Sequence, residues 1–267
     1  MSRLRYGAHV HANGIRQHYL RFGDGPPLIV IPGITSPAAT WAFVGERLGA
    51  SFDTYVLDVR GRGLSEAGPG LSYSLDTYAD DVKAFAAALN LDSFYLIGHS
   101  MGGRIAARTA HRGGSIQRMV LADPPLSGPG RRPYVLGLSF YLDTLRKAQA
   151  GLLSAEQVRL SYPRWSDAQC QTRAEWLHTC DITAITETHR GFQEDDIHGD
   201  IAALAMPTLL MVAGIGNVIT PDELAEVQGL QPELAVAHLP QASHMIPFDD
   251  LERFAHVTEG FLLQEAS

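Results

Sequence analysis

The sequence predicts an α/β fold with a mostly parallel central sheet, flanking helices and an inserted helical cap. Three observations predict it. Short unbroken apolar runs recur along the 267 residues, helical patterns fall between them, and one long aromatic-bearing stretch interrupts the alternation.

The runs are Leu28 to Ile31, Tyr55 to Leu57, Phe94 to Ile97, Met119 to Ala122 and Leu209 to Ala213. Each is continuous rather than alternating, as expected of a strand covered on both faces in a parallel sheet. A sixth strand is expected over Leu234 to Leu239. The clearest helix is Leu75 to Leu89, where Leu75, Tyr78, Val82, Phe85, Ala86 and Leu89 share one face and Ser74 stands at the N-cap. His9 and His11 have the spacing of metal ligands, but no carboxylate or third histidine lies nearby in sequence, so they read as alternate residues of a strand.

Between Leu126 and Ile201 the alternation stops. This stretch opens with Ser127-Gly128-Pro129-Gly130 and holds Tyr134, Tyr141, Tyr162, Trp165 and Trp176. It is expected to form a helical cap over a pocket at the carboxyl ends of the strands. Residues 1–125 and 202–267 then form the core, and 126–201 the cap insertion.

With 45% hydrophobic and 19% charged residues, the chain supports one substantial core without a second domain. The 29 acidic residues outnumber the 21 lysines and arginines, and the net charge of −8 opposes binding to nucleic acid or an anionic membrane. Cys170 and Cys180 match neither a disulfide framework nor a zinc-site spacing and read as reduced packing residues. The segment Met1 to Gly7 lacks the apolar region of a signal peptide, and no stretch reaches the roughly 18 apolar residues of a membrane span. A cytoplasmic location is expected.

After the run Phe94 to Ile97 comes Gly98-His99-Ser100-Met101-Gly102-Gly103, followed by a segment compatible with a helix. Gly-x-Ser-x-Gly between a strand and a helix is the setting in which a serine is held on a sharp turn as a nucleophile. The flanking glycines leave room for the turn, and the helix N-terminus offers amides to a developing oxyanion. The amide of Met101 is one expected oxyanion donor. Ile34, in the loop Pro32-Gly33-Ile34-Thr35-Ser36 after the first run, is the other. Near the end, Ala242-Ser243-His244-Met245 follows the sixth strand, which makes His244 the expected general base.

These residues, together with Asp58-Val59-Arg60-Gly61-Arg62-Gly63-Leu64-Ser65, resemble the α/β-hydrolase family over nearly the whole chain. In that family the Asp58 to Ser65 block is mainly a structural corner. Many relatives carry the catalytic acid after the penultimate strand, in a Gly-x-x-Asp-x-x-Thr-Pro pattern. Here that segment reads Gly214-Ile215-Gly216-Asn217-Val218-Ile219-Thr220-Pro221, so an amide stands in place of the acid. An amide cannot stabilise an imidazolium. Asp123, which ends the Met119 to Ala122 strand before Pro124-Pro125, is the expected replacement, with Asp222 as the alternative. The expected catalytic set is Ser100, Asp123 and His244.

Five segments narrow the resemblance further: Gly33 to Pro37, Asp123 to Arg132, Ala174 to Cys180, Asp196 to His198 and His244 to Pro247. They are similar to the deformylases of bacterial nicotinate breakdown. This implies a serine hydrolase that cleaves an N-formyl amide through a formyl-serine and needs no metal or organic cofactor. The implied partner is a small anionic substrate. Arg131 and Arg132 are expected to bind its carboxylate, and Trp165, Trp176 and His178 to line the pocket. A carbon–carbon bond hydrolase, an esterase, and a non-catalytic receptor on the same scaffold are the alternatives.

Overall fold

The structure is a computed structural model that describes residues 2–264. Eight strands form one sheet: β1 (Leu4–Ala12), β2 (Ile15–Phe22), β3 (Pro27–Ile31), β4 (Asp53–Leu57), β5 (Phe94–His99), β6 (Ile116–Ala122), β7 (Thr208–Ile215) and β8 (Ala235–Ser243). Their spatial order is β1-β2-β4-β3-β5-β6-β7-β8. From β4 to β8 every neighbouring pair is parallel, while β1 and β2 add an antiparallel edge.

All six expected strands are present, lengthened by a few residues. The strand read around His9 and His11 is β1, and its pairing with β2 as a hairpin is an addition. It escapes a search for continuous apolar runs because β1 is an exposed edge strand carrying His9 and His11 on its open side. A turn signal does mark it. Asn13 and Gly14 both have positive φ, 46° and 74°, as a two-residue hairpin loop requires.

The helices are α1 (Ala42–Leu48), α2 (Leu75–Ala88), α3 (Met101–His111), α4 (Leu138–Gln149), α5 (Ala155–Ser161), α6 (Asp167–Trp176), α7 (Ile182–Glu194), α8 (Ile197–Ala202), α9 (Pro221–Leu230), α10 (Ile246–Asp249) and α11 (Leu251–Leu262). The Ser74 side chain caps α2 by accepting from the Thr77 amide at 3.2 Å. Strand alternation divides the core into two layers. Ile29, Ile31, Leu96 and Leu121 pack with Tyr78, Phe85 and Ile105 of α2 and α3. Leu28, Val30, Ile97 and Val120 pack on the opposite face with Trp41, Val44 and Phe254. Burying these side chains on both faces explains why the central strands are apolar without a break.

No strand interrupts the chain between β6 and β7, and α4 to α8 fill that interval. Both cysteines are free and buried, and burial pushes the Cys180 thiol up to about 12. No helix among the described residues is long and apolar enough to cross a membrane. One register matters most for the site: His99 of β5 pairs with Ala122 of β6. Ser100 and Asp123 therefore emerge side by side from adjacent strand ends.

Candidate active site

Ser100 sits between β5 and α3 at φ 55° and ψ −120°, a backbone conformation rarely occupied by residues with side chains. The surrounding backbone leaves no space for neighbours larger than glycine. A Cβ on Gly98 would lie 2.1 Å from the Gly102 carbonyl oxygen, and one on Gly102 would lie 2.0 Å from that of Ile31. The strained turn is held by the Ser100 amide, which donates to the Ala122 carbonyl at 2.9 Å, and by the Gly103 amide, which donates back to Ser100.

His244 follows β8 and bridges two groups. Its Nδ1 lies 2.7 Å from a carboxylate oxygen of Asp123, and its Nε2 lies 2.9 Å from the Ser100 hydroxyl. A carboxylate only accepts, so Nδ1 carries the proton and Nε2 is left to receive one from Ser100. The second oxygen of Asp123 accepts from the Ala213 amide at 3.1 Å, and the Asp123 amide donates to the Met211 carbonyl at 2.9 Å. Asp123 has φ 49°, a left-handed conformation that aspartate tolerates better than most residues.

His99 holds the base from below, its Nε2 donating to the His244 carbonyl at 2.7 Å. Burial, reinforced by the neighbouring His244, pushes the His99 imidazole down to about 3, so it is neutral around pH 7. Asn217 is exposed, at φ 52°, and the His244 ring bonds to Asp123 and Ser100 instead. Asp222, the alternative acid, is exposed in the first turn of α9.

The amides of Ile34 and Met101 have no intramolecular acceptor among the described residues. Buried Arg62 ties their surroundings together. Its Nε donates to the Ile34 carbonyl at 3.0 Å, and its guanidinium touches the Met101 sulfur, the Tyr78 hydroxyl and Thr188 of α7. The corner block thus braces the loop that carries one of the expected oxyanion donors.

Above these groups lies a cavity of about 360 Å³, lined by Ser100, His244, Tyr134, Tyr141, Tyr162 and Arg173 among others. A smaller cavity of about 210 Å³, beneath α2 and α7, contains no nucleophile and base in contact. No cluster of metal-binding side chains occurs among the described residues.

The five pocket residues expected from sequence lie elsewhere. Arg131 pairs with Glu226. Arg132 binds Glu223 at 2.8 Å and the carbonyls of Asn217 and Val218, which makes it a strap across the β7–α9 loop. Trp165 is stacked between Tyr162 and Phe248. Trp176 is half-buried at the end of α6 and His178 is exposed, and neither borders the cavity. Arg131 and Arg132 are near Asp123 in sequence, but their side chains are held by Glu226 and Glu223 of α9, and the segment meets the cavity only from Tyr134 onward. The cation at the cavity is Arg173 of α6, whose guanidinium donates to the Thr35 carbonyl and hydroxyl at 2.8 and 2.9 Å. Its position three residues before Trp176 on the same helix was the available signal, since α6 turns its buried face inward at Cys170 and Arg173.

Strand order, the elbow at Ser100 and the Ser100–His244–Asp123 contacts define a hydrolase of the α/β type, and the chain belongs to the α/β-hydrolase family, whose model matches residues 26–251. Among individual proteins it is similar to N-formylmaleamate deformylase of Pseudomonas putida KT2440, with 54% identity over 98% of each chain. A solved structure of N-formylmaleamic acid deformylase from Pseudomonas putida S16 superposes with a TM-score of 0.90 at 50% identity, covering 95% of this chain and all of that one. More distant is 2-(acetamidomethylene)succinate hydrolase of Mesorhizobium japonicum, 27% identical over 84% of this chain and 83% of its own.

Proposed function

We propose that this chain hydrolyses N-formylmaleamate to maleamate and formate, with Ser100 as nucleophile, His244 as general base and acid, and Asp123 as the carboxylate that orients and stabilises the imidazole. The observation that carries the reading is the continuous hydrogen-bonded path from Asp123 through His244 to Ser100 at the floor of a cavity, in a chain 54% identical to a deformylase.

His244 Nε2 takes the Ser100 proton as the oxygen attacks the formyl carbon. The carbonyl oxygen becomes an oxyanion, held by the amides of Ile34 and Met101. The carbon–nitrogen bond then breaks and its electron pair passes to nitrogen, which receives the proton from His244. Water, activated by the same imidazole, hydrolyses the formyl ester to formate and frees Ser100. No step requires a metal or organic cofactor.

The substrate's carboxylate is assigned to Arg173. This guanidinium is buried, borders the cavity and has no carboxylate partner among the described residues, so a substrate carboxylate would supply its counter-charge. Residues 126–201 are assigned the role of cap, since α4 to α6 and the segment before them supply the tyrosines and the arginine that close the cavity from above.

The decisive experiment measures formate released from N-formylmaleamate by the purified protein, with Ser100→Ala as the blank. Formate at the blank rate, combined with hydrolysis of diketo acids or simple esters, would hand the site to a carbon–carbon hydrolase or an esterase. Arg173→Met should raise KM for N-formylmaleamate about 30-fold while changing its methyl ester little, as expected for loss of a charged hydrogen bond of roughly 2 kcal/mol. An equal effect on acid and ester would limit Arg173 to bracing the Thr35 loop.

A further inference from the structure

We propose that Tyr134 is a further catalytic residue: its hydroxyl donates to the carbonyl oxygen of the departing half of the substrate, and Tyr141 orients it for this. The proposal rests on the N-formyl amide reading above.

Both tyrosines line the catalytic cavity and are buried. The Tyr141 hydroxyl donates to the Tyr134 oxygen at 3.2 Å, which leaves the Tyr134 proton free to point elsewhere. Tyr134 and Ser100 border the same cavity. Burial pushes Tyr134 up to about 12 and Tyr141 well above the usual phenol range, so both remain protonated donors around neutral pH.

The sheet fixes which part of the substrate Tyr134 meets. β5, which presents Ser100, lies between β3 and β6. Ile34 approaches Ser100 from the β3 side, in the loop after that strand. Tyr134 comes two residues after Arg132, which bonds the carbonyls of Asn217 and Val218 in the segment after β7, so it approaches from the β6–β7 side, the flank of Asp123 and His244. The nitrogen that His244 protonates must lie on that flank too. In an N-formyl amide this nitrogen is bonded to a second carbonyl. As the carbon–nitrogen bond breaks, its electron pair spreads from nitrogen to that carbonyl oxygen, where negative charge grows until His244 delivers the proton. A donor placed there acts on charge that exists mainly in the transition state. Tyr141, by donating to Tyr134, polarises that donor further.

The test compares wild type, Tyr134→Phe and Tyr141→Phe on two formyl donors. N-formylmaleamate has a leaving group that needs help, whereas p-nitrophenyl formate releases a stable phenolate without it. Tyr134→Phe should lower kcat/KM on N-formylmaleamate about 100-fold and on p-nitrophenyl formate less than about threefold, the first figure being that of one lost transition-state donor. Tyr141→Phe should show the same selectivity with a loss of about threefold, as befits an indirect partner. A serine-directed phosphonate should label Ser100 in both variants at the wild-type rate. Equal losses on the two formyl donors, no loss on either, or slowed labelling would each overturn the proposal. Absence of formate release from N-formylmaleamate by wild type would overturn the substrate reading, and this proposal with it.

Discussion

Among the described residues, serine, histidine and aspartate meet in two buried clusters, and one of these has the geometry to react. At the corner after β4, His18 Nδ1 lies 2.6 Å from Asp58, much as His244 Nδ1 lies 2.7 Å from Asp123. The serines differ. Ser65 donates to the Asp58 carbonyl and accepts from the His18 amide, so both of its bonds go to backbone. Ser100 meets an imidazole nitrogen and opens onto a cavity. The Asp58 carboxylate is also occupied by the amides of Ala38 and Leu64, which makes it a knot that fastens three segments. A serine, a histidine and an aspartate in contact are therefore not enough. The imidazole must bridge the other two, and the hydroxyl must face space for a substrate.

This contrast can be broken most directly at the two carboxylates. Asp123→Asn should cut kcat about 10⁴-fold, as an amide in that position favours the wrong imidazole tautomer, while leaving the melting temperature nearly unchanged. Formate release measures the first and a thermal scan the second; an Asp123→Asn protein retaining a tenth of wild-type turnover would remove Asp123 from the reaction. Asp58→Ala should do the opposite. Loss of a buried partner in the corner should cost about 3 kcal/mol in urea unfolding, with kcat of the folded protein within about threefold of wild type. A large drop in kcat without a loss of stability would erase the distinction between the clusters.

His99, the brace beneath the reactive cluster, gives an effect that appears only on acidification. Its folded value of about 3 lies below the ordinary histidine value of 6.5, so between these limits the unfolded chain binds a proton that the folded chain refuses. Stability is fully present above pH 6.5 and falls as the pH drops toward 3, by up to about 1.4 kcal/mol per unit from this group. Urea midpoints at pH 7, 5 and 4 should show that decline, and His99→Gln should flatten it. The smallest effect is expected at Asn217. Its side chain points to solvent, so Asn217→Ala should leave kcat/KM within about twofold of wild type; a loss comparable to that of Asp123→Asn would move the acid's role back to the β7–α9 loop.

Much of this was legible in the sequence because the relevant physics is local. Continuous apolar runs mark strands covered on both faces, and Gly-His-Ser-Met-Gly between a strand and a helix specifies a turn with room only for glycine at its flanks. Asn217 was equally informative, since a residue unable to serve as the acid directs attention to another strand end. The cavity walls were not legible. Arg131 and Arg132 lie close to Asp123 along the chain yet point to Glu226 and Glu223, while Arg173, fifty residues beyond Asp123, returns to the site on a helix. Which side chains meet over a pocket depends on how α4 to α8 pack, and hydrophobic periodicity describes each helix without describing its neighbours.

With Asp123, at the end of β6, as the proposed acid, the β7–α9 loop carries no group of the proposed reaction. Ile215 at the end of β7 and Gly216 and Val218 of that loop border the cavity, and Arg132 holds the loop by its carbonyls, a contact that does not depend on the side chains at those positions. This wall of the cavity and the proposed proton-transfer groups thereby stand on separate segments. Side chains on that loop can then change the shape of the cavity without displacing Ser100, His244 or Asp123.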